Sequence, residues 1–287
     1  MKRNFTQQPA MDFGLPISAT SDDDGTLYDE GCLAGQEDMP TAEIAEGGNL
    51  VRLRAGTHVS IPLGGGKRGR IVEYSRSARK RLLNLLNTIN RTAVRVMPLF
   101  ITLTYPAVWV NNANAWKRHL DTFGKAVRKK YPTAAFIWKL EYQKRGAPHF
   151  HLILFGVPFI PWQWVAQQWW VAVGSGDITH LVAGTEVRRI KSWRGVMSYA
   201  AKYMTKAGLP ASVPYSGRFW GVIGRSLLPI LVHIVLLTWQ EYYRMRRALW
   251  RYMDSKGCGP RCRGSFQGCT VYINDIAAWR LANHIVL

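Results

Sequence analysis

Between residues 75 and 207 the apolar positions alternate between a period near 3.6 and a period of two, which predicts helices and strands in turn. Residues 75–90 carry Leu82, Leu83, Leu85 and Leu86 at helical spacing. Residues 98–104, PLFITLT, read as a strand closed by Tyr105-Pro106. A basic amphipathic helix follows over 112–130. Two strands, 134–143 and 148–155, are joined by Lys144-Arg145-Gly146-Ala147. Pro161 opens an aromatic helix running to 173. Residues 181–189 read as a strand, and 192–207 as a helix ended by Gly208 and Pro210. Upstream lies a strand-like piece near 51–62. Downstream come a strand at 219–223, an apolar run at 227–239 read as buried core, a basic helix over 240–253, a strand at 270–273 and a last helix from Asp275. This order predicts an α+β fold, a central antiparallel sheet covered by helices. Three segments are expected: a disordered tail over 1–50, a main domain over 51–225, and a helical and strand extension over 226–287 that can belong to the same domain.

Charge changes the picture. The chain has 38 Lys and Arg against 18 Asp and Glu. Residues 1–50 hold ten of the acidic residues and only Lys2 and Arg3 as basic ones, so 51–287 carries a net charge of +28. A field of that size draws in polyanions, and nucleic acid is the expected partner. No basic amphipathic anchor stands out, so a membrane is not an expected one. Residues 1–20 lack the apolar segment of a secretory signal, and LLPILVHIVLLTW at 227–239 is too short to span a bilayer. Four cysteines at this length do not make a disulfide scaffold, and a reducing cytoplasm is the expected location. The loop GGGKRGR at 64–70 is not a phosphate-binding loop, because Ile61 stands where its first glycine belongs and Arg68 follows the lysine. Neither a nucleotide cofactor nor a motor is expected.

Two stretches carry candidate chemistry. In GAPHFHLILF, His149 and His151 share one strand face while Phe150, Leu152 and Leu154 take the other. Such a pair can grip one metal ion or can be two half-buried histidines. The preceding strand alternates too. A three-residue loop with Gly146 left-handed would set Gln143 opposite Ala147 and Glu141 opposite His149, adding a carboxylate to the imidazoles. A four-residue loop would turn Glu141 away and leave Gln143 as the reserve. An open site with an oxygen ligand suits catalysis better than structural zinc. The second stretch is SYAAKYMTK at 198–206. Tyr199 and Tyr203 fall four apart on one helix face, and Lys202 and Lys206 repeat that spacing. A phenol is a weak nucleophile near neutrality, and adjacent cations or a metal-bound phosphate would favour its phenolate.

PLFITLTYP, GAPHFHLILF and YAAKYMTK, in that order over about 98–208, resemble the three motifs of the HUH endonucleases, the rolling-circle replication initiators or Rep proteins. The tyrosine pair is most similar to the two-tyrosine initiators of small single-stranded-DNA phages and related plasmids. The resemblance implies a ferredoxin-like HUH fold with the nucleophile helix packed beside the His-x-His strand. It implies Mg2+ or Mn2+ held by His149, His151 and Glu141, with imidazoles favouring manganese. It further implies attack by Tyr199 or Tyr203 on a phosphodiester of single-stranded origin DNA, giving a 5′-phosphotyrosine and a free 3′-hydroxyl. Lys202 and Lys206 would steady phosphate charge. An origin hairpin or duplex is a further expected DNA partner, and a host helicase is expected to unwind it.

Arg188, Arg189, Lys191 and Arg194 precede the tyrosine helix and are expected to meet phosphates. Trp162 and Trp193 are the candidates for base stacking. Arg244, Arg246, Arg247 and Arg251 could extend the footprint to duplex DNA. Cys258, Cys262 and Cys269 with His284 would make an irregular zinc set. Two rivals remain: a transposase or relaxase of the same chemistry, and a non-catalytic single-stranded nucleic-acid-binding protein.

Overall fold

A computed structural model describes residues 39–56, 71, 73–199, 217–257 and 268–273. The loop at 64–70, the segment 200–216, Cys258, Cys262, His284 and the helix expected from Asp275 lie outside the described residues.

The elements in chain order are β1 (Thr41–Ala45), β2 (Leu50–Arg54), α1 (Arg76–Thr88), β3 (Leu99–Thr104), α2 (Ala113–Lys130), β4 (Ala135–Tyr142), β5 (Pro148–Phe155), α3 (Trp162–Val173), α4 (Ile178–Ala183), β6 (Thr185–Arg189), α5 (Trp193–Tyr199), β7 (Trp220–Ile223), β8 (Val232–Leu236), α6 (Trp239–Ser255) and β9 (Gly268–Tyr272). Local chemistry sets several boundaries. Ser75 accepts the Ala78 amide at the start of α1, and Asn112 accepts the amides of Asn114 and Ala115 at the start of α2. Arg128, Lys129 and Lys130 fill the last turn of α2, where cations suit the helix dipole. Thr238 and Glu241 form a capping box on α6.

Five strands form an antiparallel sheet in the order β6-β3-β5-β4-β7. Without β7 this is a β-α-β-β-α-β unit with β3 and β5 central, the ferredoxin-like arrangement. Its two faces differ. On one, Phe150, Leu152 and Leu154 pack with Trp116, Leu120 and Phe123 of α2 and Val165 and Trp169 of α3. On the other, Phe100, Ile137, Ile153 and Phe155 pack with Leu82, Leu85 and Leu86 of α1 and Val196 of α5.

A second antiparallel sheet has the order β8-β1-β2-β9, with Tyr242, Met245, Leu249 and Met253 of α6 packed on it. The helix α1 joins the two halves. Its leucines enter the core of the first sheet, while Asn84 accepts the Tyr272 hydroxyl at 2.7 Å and the Asn87 carbonyl accepts the Asn49 amide at 2.7 Å.

Three expectations need correction. The end of the supposed disordered tail, residues 41–45, is a strand paired on both sides. Ala42 and Ile44 enter a core, and Glu43 is held by Arg52 at 3.0 Å and Arg54 at 3.2 Å, which lets a carboxylate lie in a sheet. Residues 181–183 belong to a helix rather than a strand. The Asp177 side chain caps Thr179 and starts a turn that buries His180, and the strand begins only after Gly184. The apolar run at 227–239 is not buried core. It supplies an edge strand of the second sheet, with Ile234 64 % and Leu236 44 % exposed.

Candidate active site

The hairpin between β4 and β5 sets the site. The Gln143 amide donates to the Ala147 carbonyl at 2.9 Å, the Gly146 amide donates to the Gln143 carbonyl at 2.8 Å, and Gly146 has φ +83°. This is the three-residue loop with a left-handed glycine, so Glu141 lies opposite His149. Gln143 stays in the turn, where its side-chain oxygen accepts from Arg145 Nε at 2.9 Å. The Arg145 guanidinium also donates to the carbonyls of Tyr105, Pro106 and Ala107 and lies over the Trp109 ring. It thereby ties the hairpin to the exit of β3.

Two rows of side chains cross the sheet on the α1 and α5 face. One runs Thr104, His149, Glu141. The other runs Glu186, Thr102, His151, Lys139. The imidazoles of His149 and His151 are edge to face with centroids 4.5 Å apart. Thr104 Oγ1 lies 2.9 Å from His149 Nδ1, and Thr102 Oγ1 lies 3.5 Å from His151 Nδ1. The Thr104 carbonyl in turn accepts from Trp169 Nε1 at 2.7 Å and His180 Nε2 at 2.8 Å. Glu141 reaches past its direct neighbour to the diagonal one. Its Oε2 is 3.2 Å from His151 Nε2, and its Oε1 is 2.5 Å from Lys139 Nζ. His151 is buried and stacks on Phe100.

These surroundings set the charges. Burial, the neighbouring His151 and the Arg145 charge hold His149 down at about 4, against the opposing pull of Glu141, so its imidazole is neutral near pH 7. Burial works against the Glu141 charge. Hydrogen bonds from His151 and Lys139, with the Lys139 charge, outweigh it, and the carboxyl sits below its usual range. The site opens into a cavity of about 370 Å³ whose walls include Thr102, Thr104, His149, His151, Glu186 and Arg188. Neutral imidazole is the form that binds metals, and two such nitrogens with one carboxylate are donors suited to a divalent ion. Threonine hydroxyls on the inner ring nitrogens fit the outer support that such ligands need. Among the described residues no three His, Cys, Asp or Glu side chains already converge as a metal cluster. Glu141 would have to turn from Lys139 to join one.

The remaining expected residues are placed as follows. Arg188 lines the cavity and bonds Glu186 at 2.6 Å, while Arg189, exposed, lies one position on and so belongs to the opposite face. Lys191 and Arg194 are exposed around the start of α5. Trp193 is partly buried beneath Arg91, 5.3 Å from its ring centroid. Trp162 is 49 % exposed at the start of α3, on the layer behind the sheet. The backbone of Tyr199 ends the described part of α5, on the face that carries the histidines. Tyr203, Lys202 and Lys206 lie outside the described residues. Sequence reasoning missed Thr102, Thr104, Lys139 and Glu186. The period-two pattern of Thr102-Leu103-Thr104 on a central strand and the Lys139-x-Glu141 spacing were the available signals.

Among the described residues no helix is long and apolar enough to cross a membrane. No curated protein and no solved structure matches the chain. Residues 98–208 match the family model of the ORF2-type replication-associated proteins. That span starts at β3 and takes in the histidine hairpin and α5, and over it the chain is similar to replication-associated proteins.

Proposed function

We propose that this protein initiates rolling-circle DNA replication by nicking and rejoining single-stranded origin DNA through a tyrosine ester, in the cytoplasm of a bacterial host of a phage or plasmid. The observation that carries this reading is the His149 and His151 pair, with Glu141 beside it, on the sheet face where α5 leads into the tyrosine segment. The match over 98–208 to a replication-associated family supports the same reading.

In this reading His149, His151 and Glu141 hold Mg2+ or Mn2+, which supplies Lewis-acid polarisation of the scissile phosphate. Thr104 and Thr102 orient the two imidazoles from behind. Tyr199 or Tyr203 attacks phosphorus. The bond from tyrosine oxygen to phosphorus forms, the bond from phosphorus to the 3′-oxygen breaks, and the phenolic proton ends on the released 3′-hydroxyl. That hydroxyl primes synthesis, and the second tyrosine cleaves the regenerated origin so that the displaced strand can be closed. Lys202 and Lys206 balance phosphate charge. Arg188, Lys191 and Arg194 attract the strand to this end of the sheet. Trp193 beside them and Trp162 on the far layer are the base-stacking candidates, and Arg189 meets phosphate further along the strand. A host helicase opens the duplex, and no nucleotide cofactor takes part.

The test is a nicking assay on labelled single-stranded DNA from the protein's own replicon, with Mn2+ or chelator. The wild type is run beside Tyr199→Phe, Tyr203→Phe, the double variant and His149→Ala. A metal-dependent covalent adduct that disappears in the double variant and in His149→Ala is the expected result. DNA binding with no adduct, unchanged by these substitutions, would overturn the proposal in favour of a non-catalytic binding protein.

A further inference from the structure

The inward positions of β4 on the histidine face are Ala135, Ile137, Lys139 and Glu141. The first two are core residues. The third is a lysine only 2 % exposed, directly across the sheet from His151. Its ammonium lies 2.5 Å from Glu141 Oε1 and 5.0 Å from the centroid of the Tyr74 ring. A buried ammonium costs stability that Met or Leu at the same place would not. Its charge partner is the carboxylate whose other oxygen bonds His151. The same carboxylate therefore serves a resident cation on one side and an imidazole on the other.

We infer that Lys139 is a positioning residue that competes with the divalent ion for Glu141; this rests on the metal-dependent reading above. With the site empty, Lys139 balances the Glu141 charge and keeps the carboxylate beside His151. When the ion binds, it shares Glu141 with a positive charge one carboxylate away. Repulsion at that range in a partly buried site weakens a dication by roughly tenfold or more. The consequence is a site tuned for an exchangeable ion rather than a permanently held one. Lys139 touches neither substrate nor reacting atoms in this role.

The experiment is a Mn2+ titration of the full chain without DNA, with free Mn2+ read by electron paramagnetic resonance. The samples are the wild type, Lys139→Met, Lys139→Arg and the double variant His149→Ala/His151→Ala. Lys139→Met should bind Mn2+ about tenfold or more tightly, Lys139→Arg should stay near the wild type because it keeps the charge, and the double-histidine variant should lose the site. Circular dichroism reports whether each variant folds, and Lys139→Gln replaces Lys139→Met if the latter does not. Unchanged or weaker binding in a folded Lys139→Met or Lys139→Gln, with the histidine-dependent site intact, overturns this inference alone. A wild type with no histidine-dependent Mn2+ binding overturns the metal reading and the inference together.

Discussion

The half-buried imidazole of His149 ties the stability of the fold to pH in a calculable way. Its value falls from 6.5 to about 4 on folding, chiefly through burial, with His151 and Arg145 adding positive charge nearby. The unfolded chain therefore binds the proton more readily than the folded one. Stability from this residue is complete above about pH 6.5, declines as pH falls toward 4, and is level below that. At about 1.4 kcal/mol per pH unit the full span is worth about 3 kcal/mol, which solvent reaching the ring trims to about 2 kcal/mol. The assay is urea unfolding in chelator at pH 7.5, 6.0 and 5.0, comparing the wild type with His149→Asn. The asparagine keeps a polar contact for Thr104 but does not titrate. The stability gap between the two should shrink by about 1 kcal/mol between pH 7.5 and 5.0, on the way to the full loss near 4. Observing the imidazole resonances by NMR gives the titration directly. A His149 that titrates near 6.5, or a gap between the proteins that does not change with pH, would refute the reasoning.

Other outcomes follow from the same geometry. Glu141→Gln removes the charge that balances buried Lys139 and should cost about 3 kcal/mol in urea unfolding, while Lys139→Met on top of it should restore most of the loss. Phe150→Ala opens a void between Trp138 and Trp169 at a fully buried position and should cost about 3 to 5 kcal/mol by the same measurement. Gly146→Ala meets no atom within 4 Å but must hold φ +83°, so it should cost about 1 kcal/mol in thermal unfolding, and Gly146→Asn less.

Much of this site was legible in the sequence because strands print their geometry at period two. Alternation in GAPHFHLILF assigned His149 and His151 to one face and Phe150 to the other, and Gly146 marked the loop that puts Glu141 opposite His149. What side chains do within that register was not legible. Glu141 spans a diagonal to His151 because Lys139 draws its other oxygen, a choice made by rotamers and burial rather than by spacing. Thr102 and Thr104 read as ordinary strand threonines until the pairing of β3 with β5 brings them against the imidazoles. The strand at 41–45 was hidden in acidic sequence because its partners, residues 50–54 and 232–236, include one nearly 200 positions away. Exposure of Ile234 and Leu236 was equally hidden, since apolar content alone does not tell a central strand from an edge one.

The second sheet binds early and late parts of the chain into a mutual dependence. Strands β1 and β2 find their outer neighbours only in β8 and β9, and the cover for Val51 and Leu53 comes from α6. A fragment cut after residue 225 would keep the whole histidine hairpin yet leave β1 and β2 as a bare pair, an arrangement of marginal stability in water. Its exposed valine and leucine would invite self-association. An excised version of the catalytic half is therefore better begun after β2, at the entry to α1, than ended before β8.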